Sequence, residues 1–155
     1  MDLLFKNEDQ IFSYRVAGIL FKRGKVLLQK TVGDDGYSFP GGHVAFGETN
    51  ARTLEREFKE ELGADIQVNS LRWVAEIFFK LEDKPCHQIC LFYDVSLMGP
   101  LSLGKETDIC FEWVSINDLA DTKIYPEETK ELMLHYTPKI SHFISVQEEF
   151  PLDLV

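Results

Sequence analysis

Cysteine is scarce in this 155-residue chain: Cys86, Cys90 and Cys110 are an odd number and form no Cys-x-x-Cys pair. A complete disulfide framework and a four-cysteine metal site are thereby excluded. Reduced thiols, buried beside or within apolar strand-like runs of a cytoplasmic protein, are the expectation. Positive charge is also short, with 16 Lys and Arg against 26 Asp and Glu and a net charge of −10. That balance argues against a nucleic-acid polymer or an anionic membrane as partner, although metal ions still allow an acidic protein to bind polyphosphates. No stretch approaches the roughly 18 apolar residues of a membrane span, and Met1 to Asp9 lacks the basic-then-apolar pattern of a secretion signal. Repeats, low-complexity tracts and linkers are missing too. With 45% hydrophobic residues, a single domain with a sizeable core is expected over 1–155, residues 1–12 forming a peripheral arm and 138–155 a peripheral tail.

What the chain has in excess is acid, concentrated between Gly42 and Ala64. Thr49 suits a helix N-cap, Ala51, Leu54, Phe58 and Leu62 recur at the spacing of a core-facing stripe, and Gly63 supplies a stop. Off that stripe stand Glu57, Glu60 and Glu61, related as i, i+3 and i+4, so their carboxylates project close together. They crowd the last turns, where the helix dipole disfavours anions by roughly 0.3–1 kcal/mol per charge. A solvated acidic face balanced by Arg52, Arg56 and Lys59 is one reading. The other is a hard divalent cation, Mg²⁺ or Mn²⁺, for which clustered carboxylate oxygens are the preferred ligands. The preceding Tyr37-Ser-Phe-Pro-Gly-Gly favours the cation, because two glycines let backbone approach a metal or phosphate closely.

In chain order, Tyr14 to Phe21 and Val26 to Lys30 flank the turn Lys22–Lys25, so residues 14–30 read as a hairpin. Ile66 to Val68, Leu71 to Leu81, Ile89 to Leu97 and Cys110 to Val114 read as further strands, with a break at Glu82–Pro85. Ser115 suits the cap of a short helical turn, and Pro126 to His135 predicts a second long helix, followed by a tail with a short strand at Phe143 to Val146. Strands alternating with two helices predict an α/β fold, a layered sandwich around a mixed sheet.

The run Gly42, five residues, Glu48, seven residues, Arg56-Glu57-Phe58, one residue, Glu60-Glu61, one residue, Gly63-Ala64 resembles the Nudix box of the Nudix hydrolases. Every fixed polar and glycine position matches; Ala64 replaces a larger aliphatic residue, which touches packing rather than chemistry. The resemblance implies the Nudix-type α/β/α sandwich around a mixed β-sheet. It also implies a Mg²⁺- or Mn²⁺-dependent hydrolase that cleaves the pyrophosphate linkage of a nucleoside diphosphate joined to another group: a nucleotide sugar, a dinucleotide or a (d)NTP. By that resemblance Glu57, Glu60 and Glu61 ligate metal together with the Gly41 carbonyl, and Glu57 is also the family's most frequent general base. Arg56 orients a box carboxylate and Glu48 braces the loop, each with a purely structural role as the alternative.

Outside the box, MutT-like members place a glutamate in a loop that completes the metal sphere or acts as base, which points to Glu106, with Glu112 and Asp108 as rivals. Lys30 is a candidate phosphate contact, and Tyr37, Phe46 and Tyr93 are aromatic candidates for stacking a base. The asparagine with which MutT-like members grip a purine has no counterpart in Tyr125-Pro-Glu-Glu-Thr129, which weakens the case for an oxidised-guanine triphosphatase. The competing class is a catalytically weak nucleotide sensor or scaffold, a type that usually loses box glutamates. A small-molecule partner follows from the resemblance, and a homodimer is compatible with it.

Overall fold

The computed structural model describes residues 1–102, 108–135, 137–151 and 153. Strands β1 (Leu4–Lys6), β2 (Ile11–Ile19), β5 (Gly41–His43), β6 (Ile66–Leu81), β7 (Lys84–Leu97) and β9 (Ser141–Val146) form one mixed sheet in the order β1-β2-β7-β6-β9, with β5 also on β2. A three-stranded antiparallel sheet holds β3 (Phe21–Lys22), β4 (Lys25–Thr31) and β8 (Ile109–Ser115). The helices are α1 (Asn50–Leu62) and α2 (Thr129–Leu134), with a 3₁₀ turn over Ile116–Asp121.

The layering follows from strand alternation. Ala17, Trp73, Ala75 and Phe92 bury one face of the mixed sheet in a core shared with Val26 and Leu28 of β4, Leu119 of the 3₁₀ turn and the α2 side chains Leu132 and Met133. Val16 and Val95 point the other way, into a second core filled by Leu54, Phe58 and Leu62 of α1. The α/β sandwich around a mixed sheet is therefore as expected. Among the described residues no helix is long and apolar enough to cross a membrane.

Several expectations need correction. Residues 14–30 do not form one hairpin: only β3 and β4 pair, across a turn in which Arg23 and Gly24 both have positive φ. β2 instead runs parallel to β7, Ile11 beside Cys86, because its apolar residues are buried on both faces and need a central position. The two strands expected at 66–68 and 71–81 are one, β6, with register shifts between Val68 and Trp73, and it joins β7 through the two-residue turn Glu82-Asp83. The second helix has six residues, not ten. Pro126 to Glu128 form a separate turn closed by the Thr129 hydroxyl on the Pro126 carbonyl, and Pro138 follows close behind the last turn. Arm and tail both contribute sheet strands: β1 pairs antiparallel with β2, and β9 lies parallel to β6, longer than the expected 143–146. Cys86 and Cys90 are buried free thiols, whereas Cys110 is exposed because its β8 position faces solvent.

Candidate active site

The helix α1 forms as its sequence dictates. Thr49 accepts a hydrogen bond from the Arg52 amide at its start. At its end Gly63, at φ 57°, sends its amide to the Lys59 carbonyl while the Ala64 amide reaches Phe58. The buried stripe of Leu54, Phe58 and Leu62 fixes the helix roll, and this presents Glu57 and Glu61 on the flank toward β5. Contact there is close. A Cβ at Gly42 would stand 2.4 Å from the Glu57 carboxyl carbon, so only glycine leaves that carboxyl its place. The bonds of Val44 to Tyr14 and Gly18 to Pro40 set an alternating ladder in which Gly41 and Ala17 are a non-bonded pair. The Gly41 carbonyl is thus turned away from β2.

Arg56 ties the carboxylates together. Its Nε and Nη2 donate to Glu48 at 3.0 Å each, its Nη1 donates to Glu57 at 2.8 Å, and Glu60 stands 3.5 Å from Nη1. Glu48 accepts further from the Thr53 hydroxyl at 2.8 Å. Those Arg56 bonds, with Thr53 second, hold the Glu48 carboxyl down at about 2. Glu57 behaves oppositely. With its side chain 16% exposed, burial raises its proton affinity above the ordinary value, and Arg56 and a hydrogen bond with Glu61 offset this only in part. Glu61 stands one helical turn further on at the same cleft and the Glu60 charge adds to the rise, so negative charge is crowded here.

The cleft beside them has a volume of about 680 Å³ and is lined by Gly41, Gly42, Glu57 and Glu61, by Asp34 to Ser38, and by Arg15, His43, Gln88 and Tyr125 among others. Burial, reinforced by Arg15, keeps His43 below its usual proton affinity. Arg15, on the central strand β2, donates to the Phe39 carbonyl at 3.2 Å.

The structure brings some of the sequence candidates together and separates others. Glu57, Glu61, Gly41 and Tyr37 meet at the cleft. Arg56 and Glu48 brace them from behind. Glu60 is 57% exposed and leans on Arg56, and among the described residues no three His, Cys, Asp or Glu side chains converge on a common point. Lys30 does not line the cleft; its ammonium lies 5.4 Å from the centre of the Tyr37 ring. The Tyr37 hydroxyl donates to Glu112, which occupies that rival for the Glu106 role, and the main-chain carbonyl of Asp108, the other rival, accepts from the Val32 amide. Glu106 lies outside the described residues. Phe46 is exposed on its loop and Tyr93 is bonded to Asn50, so neither is placed at the cleft. Arg15, Phe79, Gln88 and Tyr125 line it without having been singled out from sequence. A lone residue in a strand or loop carries no motif.

The donor set suits a divalent cation. Glu57 and Glu61 offer hard oxygens at the cleft, and Gly41 lines the same space.

Fold and site together define an α/β domain that presents an arginine-braced carboxylate cluster to a glycine-lined cleft. The chain belongs to the family described as NUDIX domain, whose family model matches residues 12–136. It is 45% identical over 40 residues to an RNA pyrophosphohydrolase of Acinetobacter baylyi, a stretch that covers 26% of this chain and 24% of that protein. The match thus spans about a quarter of that relative's length. Two solved structures share the fold. A MutT protein from Bacillus halodurans superposes with a TM-score of 0.69 at 19% identity, covering 90% of this chain and 93% of that one. An ADP-ribose pyrophosphatase from Streptococcus suis gives 0.65 at 17% identity, covering 84% and 98%.

Proposed function

We propose that the protein is a Mg²⁺- or Mn²⁺-dependent pyrophosphohydrolase that cleaves the pyrophosphate linkage of a nucleoside diphosphate joined to another group. The observation that carries this is the Glu57 carboxyl, packed against Gly42, braced by Arg56 and lining with Glu61 a cleft large enough for a nucleotide. A phosphoanhydride is kinetically inert because its oxygens repel nucleophiles. A carboxylate-bound divalent cation supplies charge neutralisation and an activated water when present. Glu57 and Glu61, with Glu60 after rotation away from Arg56 and the Gly41 carbonyl, would hold it. Arg56 keeps the Glu57 carboxyl in place by a charge-assisted bond, and Glu48 holds Arg56. Glu57 is the first choice for general base and Glu106 the second, while Tyr37 lies on the cleft wall where it can contact substrate and Lys30 stands behind it.

The names of the relatives, RNA pyrophosphohydrolase and ADP-ribose pyrophosphatase, fit this class without choosing a substrate. The test is a screen of dNTPs, ADP-ribose, NADH, dinucleoside polyphosphates and nucleotide sugars with and without Mg²⁺, followed by analysis of the phosphate products. Chelator-sensitive turnover of any of them is expected. Binding without turnover would replace the hydrolase by a sensor, and turnover in excess chelator would remove the metal.

A further inference from the structure

Of the strands that end the two sheets, β1, β3 and β8 each carry a charge that discourages a further strand, in Lys6, Lys22 and Glu112. The fourth, β9, has no charged residue and no proline between Ser141 and Val146, and its register with β6 is unbroken. Its main-chain groups alternate between the two sides. The Gln147 amide donates to the Phe78 carbonyl at 2.9 Å, so Ser141, Phe143 and Ser145 aim their N–H and C=O groups at β6 as well. His142, Ile144 and Val146 turn theirs outward, where among the described residues no strand pairs with them. The same three side chains are exposed, Ile144 by 54%, and the His142 ring lies 2.7 Å from the Glu76 carboxylate.

We propose that this edge docks a second copy of the chain: two β9 strands pair antiparallel about a two-fold axis at Ile144 and join the mixed sheets of both copies. The edge is complementary to itself in three respects. With Ile144 facing Ile144 and His142 facing Val146, every outward N–H and C=O of both strands finds a partner, whereas any shifted register leaves some unpaired. The side chains that meet across the axis are two isoleucines, a favourable cross-strand pair, and no like charges stand directly opposed within the strands. Lys139 precedes β9 while Glu148 and Glu149 follow it. An antiparallel joint therefore brings the basic end of one strand to the acidic end of the other, and a parallel joint would set like beside like. The contact is small, since six residues span about 20 Å, which places it at the low end of interface sizes and makes the dimer reversible. Gln147 and Glu149, just past the joined strand, line the carboxylate cleft, so one wall of each cleft is anchored at the joint.

Sedimentation equilibrium of the full chain over a dilution series tests this without turnover. The mass should rise with concentration from that of one chain toward that of two. Ile144→Pro removes an outward N–H and leaves the bonds to β6 in place, so it should sediment as one chain throughout, with a thermal melt reporting that it is folded. Cross-linking reads the register and does not depend on that variant folding. With the exposed thiol removed by Cys110→Ser, Ile144→Cys should join two chains covalently under diamide, because opposed hydrogen-bonded residues have Cα atoms about 5.5 Å apart. His142→Cys alone should not, its two copies lying about 14 Å apart in this register, and adding Val146→Cys to it should restore the cross-link. A wild type that stays a single chain at every concentration leaves the edge to a strand of some other protein and overturns the proposal. So would a dimer that persists in folded Ile144→Pro, or His142→Cys chains that cross-link as readily as Ile144→Cys chains. The hydrolase reading fails separately, through absent turnover in the substrate screen, whatever the mass of the particle.

Discussion

Gly42→Ala isolates the contact between the glycine loop and the carboxylate cluster. The added Cβ would stand 2.4 Å from the Glu57 carboxyl carbon, 2.5 Å from Oε1 and 2.8 Å from Cγ, whereas ordinary contact begins at 3.4 Å. Glu57 must then retreat by about 1 Å, since 3.4 − 2.4 = 1.0. The backbone offers no relief, because Gly42 sits in β5 paired to Val16, yet it imposes no positive φ that alanine would resist. Stability should change little, as alanine also restricts the unfolded chain, by about 0.4–1 kcal/mol. Activity should not be spared, because a 1 Å misplacement of a reacting group costs on the order of 100-fold. The assay is kcat on the best nucleotide pyrophosphate at saturating Mg²⁺, with a thermal melt alongside. Gly42→Ala in a Glu57→Gln background should add almost nothing, because both act through one carboxylate. A Gly42→Ala enzyme with wild-type kcat would refute the reasoning, and so would full additivity with Glu57→Gln.

Three further outcomes are expected. Glu61→Gln should melt at the same temperature as wild type or higher in chelator, because it removes one of the carboxylates crowded at the end of α1; a clear loss of metal-free stability would make Glu61 a structural residue. Glu48, held at about 2 against an ordinary 4.5, stabilises the fold fully above the higher value and loses that contribution as pH falls toward the lower one. Melts of wild type and Glu48→Gln should therefore differ at neutral pH and converge between pH 4.5 and about 2, and a gap that persists below that window would contradict the Arg56 brace. Iodoacetamide on the native protein should label Cys110 first, since burial pushes Cys86 to about 11 and Cys90 to about 12, and mass spectrometry of timed digests reads the order.

What could be read from sequence was local. The Thr49 cap, the Leu54, Phe58 and Leu62 stripe and the Gly63 stop specify α1 by contacts within a few residues, and all three stand as expected. The Ser115 cap does so too, accepting from the Asn117 amide. Non-local pairing was illegible. Nothing in Ile11–Ile19 says that its neighbour is a strand some 75 residues onward, so the turn at Lys22–Lys25 suggested a hairpin with the wrong first strand. β9 was underestimated for the same reason, as its partner β6 comes from the middle of the chain. The box residues are one helix and the loop before it, which is why a linear motif carries them. Arg15 reaches the cleft through its pairing with Cys90 and His43, and Tyr125 through the bridge of Tyr37 with Ile124. Residues assembled that way leave no spacing to read.

The charge inventory of the cleft bears on how an acidic protein takes an acidic ligand. Among its described lining residues, Asp2, Asp34, Asp35, Glu57, Glu61 and Glu149 stand against Arg15 and Lys80. Arg56, the strongest local cation, is committed to Glu48 and Glu57, and Lys123 to Asp35. A pyrophosphate brought into this space meets a net negative wall at short range, where screening by salt is weakest. On the hydrolase proposal, affinity for the phosphate end must then come from a divalent cation. On that reading a metal would serve as the counter-charge of the substrate as well as in cleavage, and tight binding of a pyrophosphate in metal-free buffer would contradict the inventory.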